Sequence, residues 1–126
     1  MGFHFPGRAR LDARGVKAVL ESGFRLRGKS ATPWLVRVLP ARAEGDAKLA
    51  ISIPKRWIKS SVARNRLKRQ AREAFRQHGI RLQPVDLLVS VNGACKTGDV
   101  PARKLLRQAL AQLLDQAAAR SVTVAA

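Results

Sequence analysis

The stretch from Ser61 to Gln77, SVARNRLKRQAREAFRQ, constrains the fold most, because only one narrow side of it is apolar. It contains no proline or glycine, and Ser60 or Ser61 can cap the start of a helix with its side-chain oxygen. At about 100° per residue, one arc collects Ala63, Leu67, Ala71, Ala74 and Phe75. We therefore predict one amphipathic helix whose small apolar side chains let it pack closely on the rest of the chain.

The opposite side of this predicted helix is almost entirely cationic, with Arg64 at the border. Like charges three or four positions apart, such as Arg66 with Arg69, repel by roughly a few tenths of a kcal/mol per pair. A solvated face is the plainest interpretation of a charge run, but such faces usually mix both signs. Glu73 is the only acid in the stretch, so the pattern favours a surface that binds a polyanion.

The composition of the whole chain agrees with this interpretation. Its 126 residues suffice for a single domain, 1–126, and a hydrophobic content of 46% can supply a core. The net charge is +17, and the phosphates of a nucleic acid would relieve the self-repulsion. Cys95 is the only cysteine, which excludes an intrachain disulfide and fits a reducing compartment. With no apolar run near the roughly 20 residues of a membrane span, we predict a soluble cytoplasmic protein.

The remaining segments alternate between helix and strand patterns. Apolar stripes predict a first helix over 12–22 and a Leu-rich last helix over 102–120. Residues 1–10 are predicted to form an irregular basic arm and residues 121–126 a frayed tail. Strand patterns lie at 24–30, 34–39, 48–53 and 85–91, and we interpret 41–47 as a hairpin loop. The predicted order is helix, two or three strands, helix, strand, helix.

No arrangement of residues points to an active site made by the protein alone. The two histidines and eight carboxylates are scattered without metal-ligand spacing, and no glycine-rich phosphate loop is present. We therefore predict no catalytic and no metal-ligating residues, so that any metal must be held elsewhere. Trp57 lies among Lys55, Arg56 and Lys59, and it fits stacking on RNA as well as packing in the core.

The spacing between a basic pair and the arginine-rich helix carries a family resemblance. Lys55-Arg56 followed by Arg64-Asn65-Arg66-x-Lys68-Arg69-x-x-Arg72-Glu73-x-Phe75-Arg76 resembles the signature of the bacterial ribonuclease P protein subunit. Residues 10–20, the strand at 85–91 and the last helix are similar to further elements of that family. The resemblance implies an α+β fold, a two-layer α–β sandwich in the order αβββαβα, with a left-handed crossover at the arginine-rich helix.

The resemblance also implies a function. The chain would be the protein subunit of an endoribonuclease whose RNA carries out catalysis and which removes the 5′ leader of precursor tRNA. The expected partners are ribonuclease P RNA and precursor tRNA, with Mg²⁺ held chiefly by the RNA. Carried over by position, the residues expected to contact RNA are Lys55, Arg56, Arg64, Asn65, Arg66, Lys68, Arg69 and Arg72.

A cleft for the leader is expected beside the first helix. Members of the family often have phenylalanine at the positions that Val16 and Leu20 occupy here, so this chain would contact a leader through shape and phosphate charge. Both aliphatic residues also fit a packing role. We expect the cleft to involve Val16, Leu20, Trp34 and Arg37.

Two other classes of protein share this composition. A small basic ribosomal protein would have a similar charge but would not require the spacing from Lys55-Arg56 to Arg64. A nucleoid-type DNA-binding module could lay an arginine face in a major groove, but no clear helix-turn-helix partner precedes the helix.

Overall fold

A computed structural model describes residues 10–27, 33–40, 45–91 and 103–125. The predicted order αβββαβα is confirmed, with one short 3-10 helix added. The elements are α1 (Ala13–Ser22), β1 (Phe24–Arg27), β2 (Trp34–Pro40), β3 (Lys48–Ser52), α2 (Ser61–Gln77), the 3-10 helix (Gly79–Leu82), β4 (Val85–Val91) and α3 (Arg103–Ala125).

The first two helices begin where the sequence supplies a cap. The Asp12 side chain accepts a hydrogen bond from the backbone N–H of Gly15 at 2.8 Å, and the Ser60 hydroxyl accepts one from the backbone N–H of Ala63 at 3.2 Å. Each bond satisfies one of the backbone donors that the first helical turn leaves free. The helix predicted over 61–77 therefore begins and ends at the expected residues.

The four strands form one mixed sheet in the order β1-β2-β4-β3. β4 is antiparallel to β2, with Trp34 opposite Val91, and parallel to β3, with Leu49 opposite Leu87. The hairpin predicted at 41–47 is therefore wrong, because β4 lies between β2 and β3. Gly45, with φ of 115°, does mark a turn, but a turn signal alone does not show that the flanking strands pair.

β4 takes the central position because nearly all of its residues can be buried. Its side chains are buried at every position except Ser90, as expected of a strand covered on both faces. β3, α2 and β4 form a parallel β–α–β unit, and the left-handed sense of its crossover stays a prediction.

The main core lies between the sheet and the layer that contains α2 and α3. Trp34, Val36, Leu87 and Val89 face this layer from the sheet, and the Trp34 indole donates a hydrogen bond to the Leu106 carbonyl at 2.9 Å. α1 covers part of the other face through a smaller cluster of Leu11, Val19 and Leu88. The sheet therefore separates α2 from α1.

Regular structure extends towards both ends of the described chain. α3 continues to Ala125, and the fraying predicted from residue 121 stays a prediction. Serine, valine and threonine have low helix propensity, but Ser121 is buried, and packing overrides propensity there. Of the predicted N-terminal arm, only Arg10 lies within the described residues, and it forms a parallel bridge with Leu49.

Candidate nucleic-acid interface

The predicted apolar arc attaches α2 to the core. Leu67, Ala71 and Phe75 are buried, and Ala63 and Ala74 pack against the same cluster while partly exposed. Small residues alternate with large ones along this arc, so the helix backbone can lie close to its support. The cationic side is consequently turned outward along the whole helix.

Most of the residues expected to contact RNA are exposed. Two are only partly exposed, namely Arg64 and Lys68. The exposed ones are Lys55, Arg56, Asn65, Arg66, Arg69 and Arg72, and Lys59 is exposed beside them. We call the surface formed by the loop 55–59 and the cationic side of α2 the basic face.

Arg64 differs from its neighbours on the basic face. Its Nη1 donates hydrogen bonds to the carbonyls of Ile58 at 3.0 Å and Lys59 at 2.8 Å. The guanidinium therefore points back to the segment that leads into the helix.

Trp57, within the same loop, is held by contacts on its ring. Its ring is half-buried against the main core, and the guanidinium of Arg56 lies over it, 5.0 Å from the ring centroid. A cation over an indole face is a favourable electrostatic contact. Packing of Trp57 is confirmed, and its stacking on RNA stays a prediction.

Polar contacts between α2 and α3 were not predicted from the sequence. Arg107 Nε donates to the side-chain oxygen of Gln70 at 3.1 Å, and its Nη2 lies 3.9 Å from Glu73 Oε2. Arg76 Nη2 approaches the same Glu73 oxygen at 2.8 Å. The single acid of α2 thus lies between two arginines. Only the Glu73–Arg76 spacing of three residues could have been recognised in the sequence.

His78 makes a second link between the two helices. Its Nδ1 accepts a hydrogen bond from the backbone N–H of Ile80 at 3.0 Å, so Nε2 carries the proton that is donated to Asp115 Oδ1 at 2.6 Å. The Gln70–Arg107 and His78–Asp115 pairs have the same separation of 37 residues. α2 and α3 therefore run in the same direction, and the basic face has a fixed support.

A second basic surface lies on the face of the sheet that α1 partly covers. Arg37 is opposite Arg25 on one side and Leu88 on the other, and Leu88 belongs to the α1 cluster. Side chains of paired residues point to the same face of a sheet, and Arg27 follows Arg25 by two positions. Arg25, Arg27 and Arg37 therefore share this face, which we call the arginine strip.

The arginine strip was only partly foreseen. Arg37 was expected, whereas Arg25 and Arg27 were missed, although the alternation in Phe24-Arg25-Leu26-Arg27 was a usable signal. The Nε of Arg37 is buried and has no hydrogen-bond partner among the described residues. A buried donor without a partner is costly, and the rest of the fold compensates for that cost.

The other residues of the expected leader cleft separate into three environments. Leu20 is 50% exposed, and Val16 is half-buried against the α1 cluster. Trp34 is fully buried on the opposite face of the sheet under α3, so its place in the cleft is a wrong prediction. The physical reason is register, because the residues of β2 alternate between the two faces and Trp34 shares the core face with Val36.

The described ranges contain no group of three or more His, Cys, Asp or Glu side chains that could hold a metal ion. Across the same ranges, no helix is both long and apolar enough to span a membrane.

Comparison with known proteins gives one family. The family model described as Ribonuclease P matches residues 6–118. A ribonuclease P protein component of Ralstonia pickettii is 33% identical over 122 residues, which cover 93% of this chain and 85% of that relative.

Solved structures show the same fold. A ribonuclease P protein of Staphylococcus aureus has a TM-score of 0.72 at 20% identity, covering 86% of this chain and 94% of that one. The protein of Thermotoga maritima has a TM-score of 0.69 at 22% identity, covering 85% and 96%.

Proposed function

This chain belongs to the ribonuclease P protein family, and from that premise we propose that its two basic surfaces bind two different RNAs. Proteins of this family are components of an endoribonuclease holoenzyme that processes the 5′ ends of tRNA, so RNA is a partner of the chain. In the proposal, the basic face binds ribonuclease P RNA, and the arginine strip with Leu20 contacts the 5′ leader of precursor tRNA.

The binding of ribonuclease P RNA is assigned to the basic face because the exposed charged side chains there are all positive. Six of the residues expected to contact RNA are exposed on it, and five of these are cationic. The carboxylate of Glu73 is paired with Arg76. Guanidinium groups can donate two parallel hydrogen bonds to a phosphate, and Asn65 can both donate and accept, as a 2′-hydroxyl requires. A folded helix presents these groups without the cost of ordering its backbone, so that only side-chain rotamer freedom is lost on binding.

The second assignment is supported by position and by chemistry. The arginine strip lies on the other side of the sheet from α2, so it can meet a different RNA segment. Arg25 and Arg27 are exposed on the same face as Arg37, and Leu20 offers an exposed aliphatic side chain on α1, which covers part of that face. This combination suits phosphate oxygens more than stacked bases, since α1 presents Val16 and Leu20 where an aromatic ring would stack.

The division of chemistry follows from what the chain contains. We assign hydrolysis and the binding of Mg²⁺ to the RNA, and binding and orientation of both RNAs to the protein. The absence of an intrachain disulfide supports the proposed cytoplasmic site of action. Membership of the family favours this function over a ribosomal protein or a nucleoid module, and β3, not a helix, precedes α2 within the described residues.

Reconstitution of the holoenzyme tests the proposal. The chain is mixed with ribonuclease P RNA and precursor tRNA at a Mg²⁺ concentration that is too low for the RNA alone. We expect the protein to restore leader removal and to show no cleavage without the RNA. Cleavage by the protein alone, or no restoration, would contradict the proposed function.

A further inference from the structure

Arg64 occupies a position where a free cation is disfavoured. It lies in the first turn of α2, close to the positive end of the helix dipole. Its Nη1 is held by the carbonyls of Ile58 and Lys59, at 3.0 and 2.8 Å. These two acceptors offset the unfavourable dipole and orient the guanidinium towards the preceding loop.

The loop that Arg64 contacts is built as a compact turn. The Pro54 carbonyl accepts hydrogen bonds from the backbone N–H groups of Trp57 and Ile58, both at 3.1 Å. The Ile58 side chain is buried in the main core, while Lys55, Arg56 and Lys59 are exposed around it. Arg64 closes this turn against the start of the helix.

We propose that Arg64 is a positioning residue that holds the loop 55–59 in line with α2, so that Lys55 and Arg56 extend the cationic side of the helix. This inference rests on the proposed function of the basic face. Arg64 then promotes RNA binding through Lys55 and Arg56, whereas Arg66 contacts RNA itself. The two arginines of the Arg64-Asn65-Arg66 tripeptide thus have different tasks.

A double-mutant cycle tests this division. Dissociation constants for ribonuclease P RNA are measured for Arg64→Ala and Arg66→Ala, each in the natural chain and in a Lys55→Ala/Arg56→Ala background. We expect Arg64→Ala to weaken binding about tenfold in the natural chain but less than about twofold in the background. Arg66→Ala, the matched control on the same helix, should weaken binding by the same factor in both.

A second measurement reports on the loop without RNA. Trp57 lies in the loop and Trp34, the other tryptophan, is fully buried, so quenching of fluorescence by iodide reports mainly on Trp57. We expect Arg64→Ala to increase this quenching and Arg66→Ala to leave it unchanged. Circular dichroism and thermal unfolding establish that each variant is folded.

The outcomes separate this inference from the function on which it rests. If Arg64→Ala weakens binding equally in both backgrounds, or if quenching is unchanged, Arg64 does not position the loop and the inference is wrong. If neither Arg66→Ala nor the Lys55→Ala/Arg56→Ala pair weakens binding, the basic face is not the RNA interface and both proposals fail.

Discussion

The basic face and the arginine strip are both rich in arginine, but they are assembled in different ways. The cations of the basic face come from one continuous segment, and those of α2 are brought together by helical periodicity. The arginine strip exists only because β1 pairs with β2 in a register that places Arg25 opposite Arg37. A surface of the first kind depends on local structure, whereas one of the second kind depends on the completed sheet.

The helices on the two faces of the sheet also differ in the contacts that hold them. α2 is fixed by Arg64 at its start, by the Gln70–Arg107 pair in the middle and by His78 at its end. α1 rests on a small cluster around Val19 and leaves Leu20 half exposed. α2 is therefore fixed by polar contacts at three points along its length, whereas α1 is held mainly by a small apolar cluster.

The largest effect is expected from removing three arginines of the basic face. Arg66→Ala/Arg69→Ala/Arg72→Ala should weaken binding to ribonuclease P RNA about 100-fold, at roughly 1 kcal/mol per lost contact. The magnitude of the slope of log affinity against log salt should fall by about 2–3 units, because three phosphate contacts are lost. Filter binding over a range of salt concentrations measures both quantities.

The matched control for that variant lies on the arginine strip. Arg25→Ala/Arg27→Ala/Arg37→Ala removes the same charge but should change affinity for ribonuclease P RNA by less than about twofold. Equal losses in the two triple variants would mean that total charge, not the position of the arginines, determines binding.

A smaller effect is expected in the discrimination between substrates. Arg25→Ala/Arg37→Ala should reduce the preference of the holoenzyme for precursor over mature tRNA by about tenfold, because phosphate contacts to the leader are lost. Competition binding with the two tRNAs measures the preference, and thermal unfolding monitors the sheet. An unchanged preference in a folded variant would show that the arginine strip does not contact the leader.

An increase in affinity for precursor tRNA is expected when α1 carries an aromatic ring. Leu20→Phe should tighten precursor tRNA binding about fivefold, since stacking on one base contributes roughly 1 kcal/mol or more. The measurement is the affinity of the reconstituted holoenzyme for tRNA with and without a leader. No change for the precursor would show that Leu20 lies outside the cleft.

Val16→Phe provides the control for this gain. Val16 packs against the α1 cluster, so a larger ring should lower the free energy of unfolding by about 1–3 kcal/mol without improving binding. Tighter precursor binding by this variant at unchanged stability would instead place Val16 in the cleft.

The smallest effect concerns the support of α2. Asp115→Ala removes the acceptor of His78 Nε2, but the Asp115 side chain is 71% exposed, and solvent screens the pair. We expect the free energy of unfolding to fall by about 0.5 kcal/mol, with RNA affinity unchanged. Chemical denaturation measures the loss, and Gln112→Ala, also exposed on α3, serves as the control. A loss no larger than the control's would show that the pair does not stabilise the fold.

What could be predicted from the sequence follows the same division between local and non-local structure. The bounds of α2 and β4 were predicted to the residue, because a cap, a period of 3.6 and a continuous apolar run are local signals. The order of the strands was not predicted, because no local signal distinguishes a β2–β3 hairpin from two strands that both pair with β4.

The same reasoning applies to individual site residues. The exposure of Arg66, Arg69 and Arg72 follows from helical periodicity, and it was predicted. The burial of Trp34 depends on which face of β2 meets α3, and that prediction was wrong. The contacts of Arg64 and Arg107 depend on the path of the loop and on the direction of α3, and sequence spacing predicts neither.

The central place of β4 has a consequence for biosynthesis. Until Val85–Val91 leaves the ribosome, the strand that lies between Trp34–Pro40 and Lys48–Ser52 is missing. The segment that forms the cationic helix has by then already been synthesised. A two-stranded hairpin alone is marginally stable in water, so the nascent chain gains its sheet late. Truncation of the chain before Val85 would thus leave at most the hairpin of β1 and β2, and the arginine-rich helix would have no completed sheet to pack on.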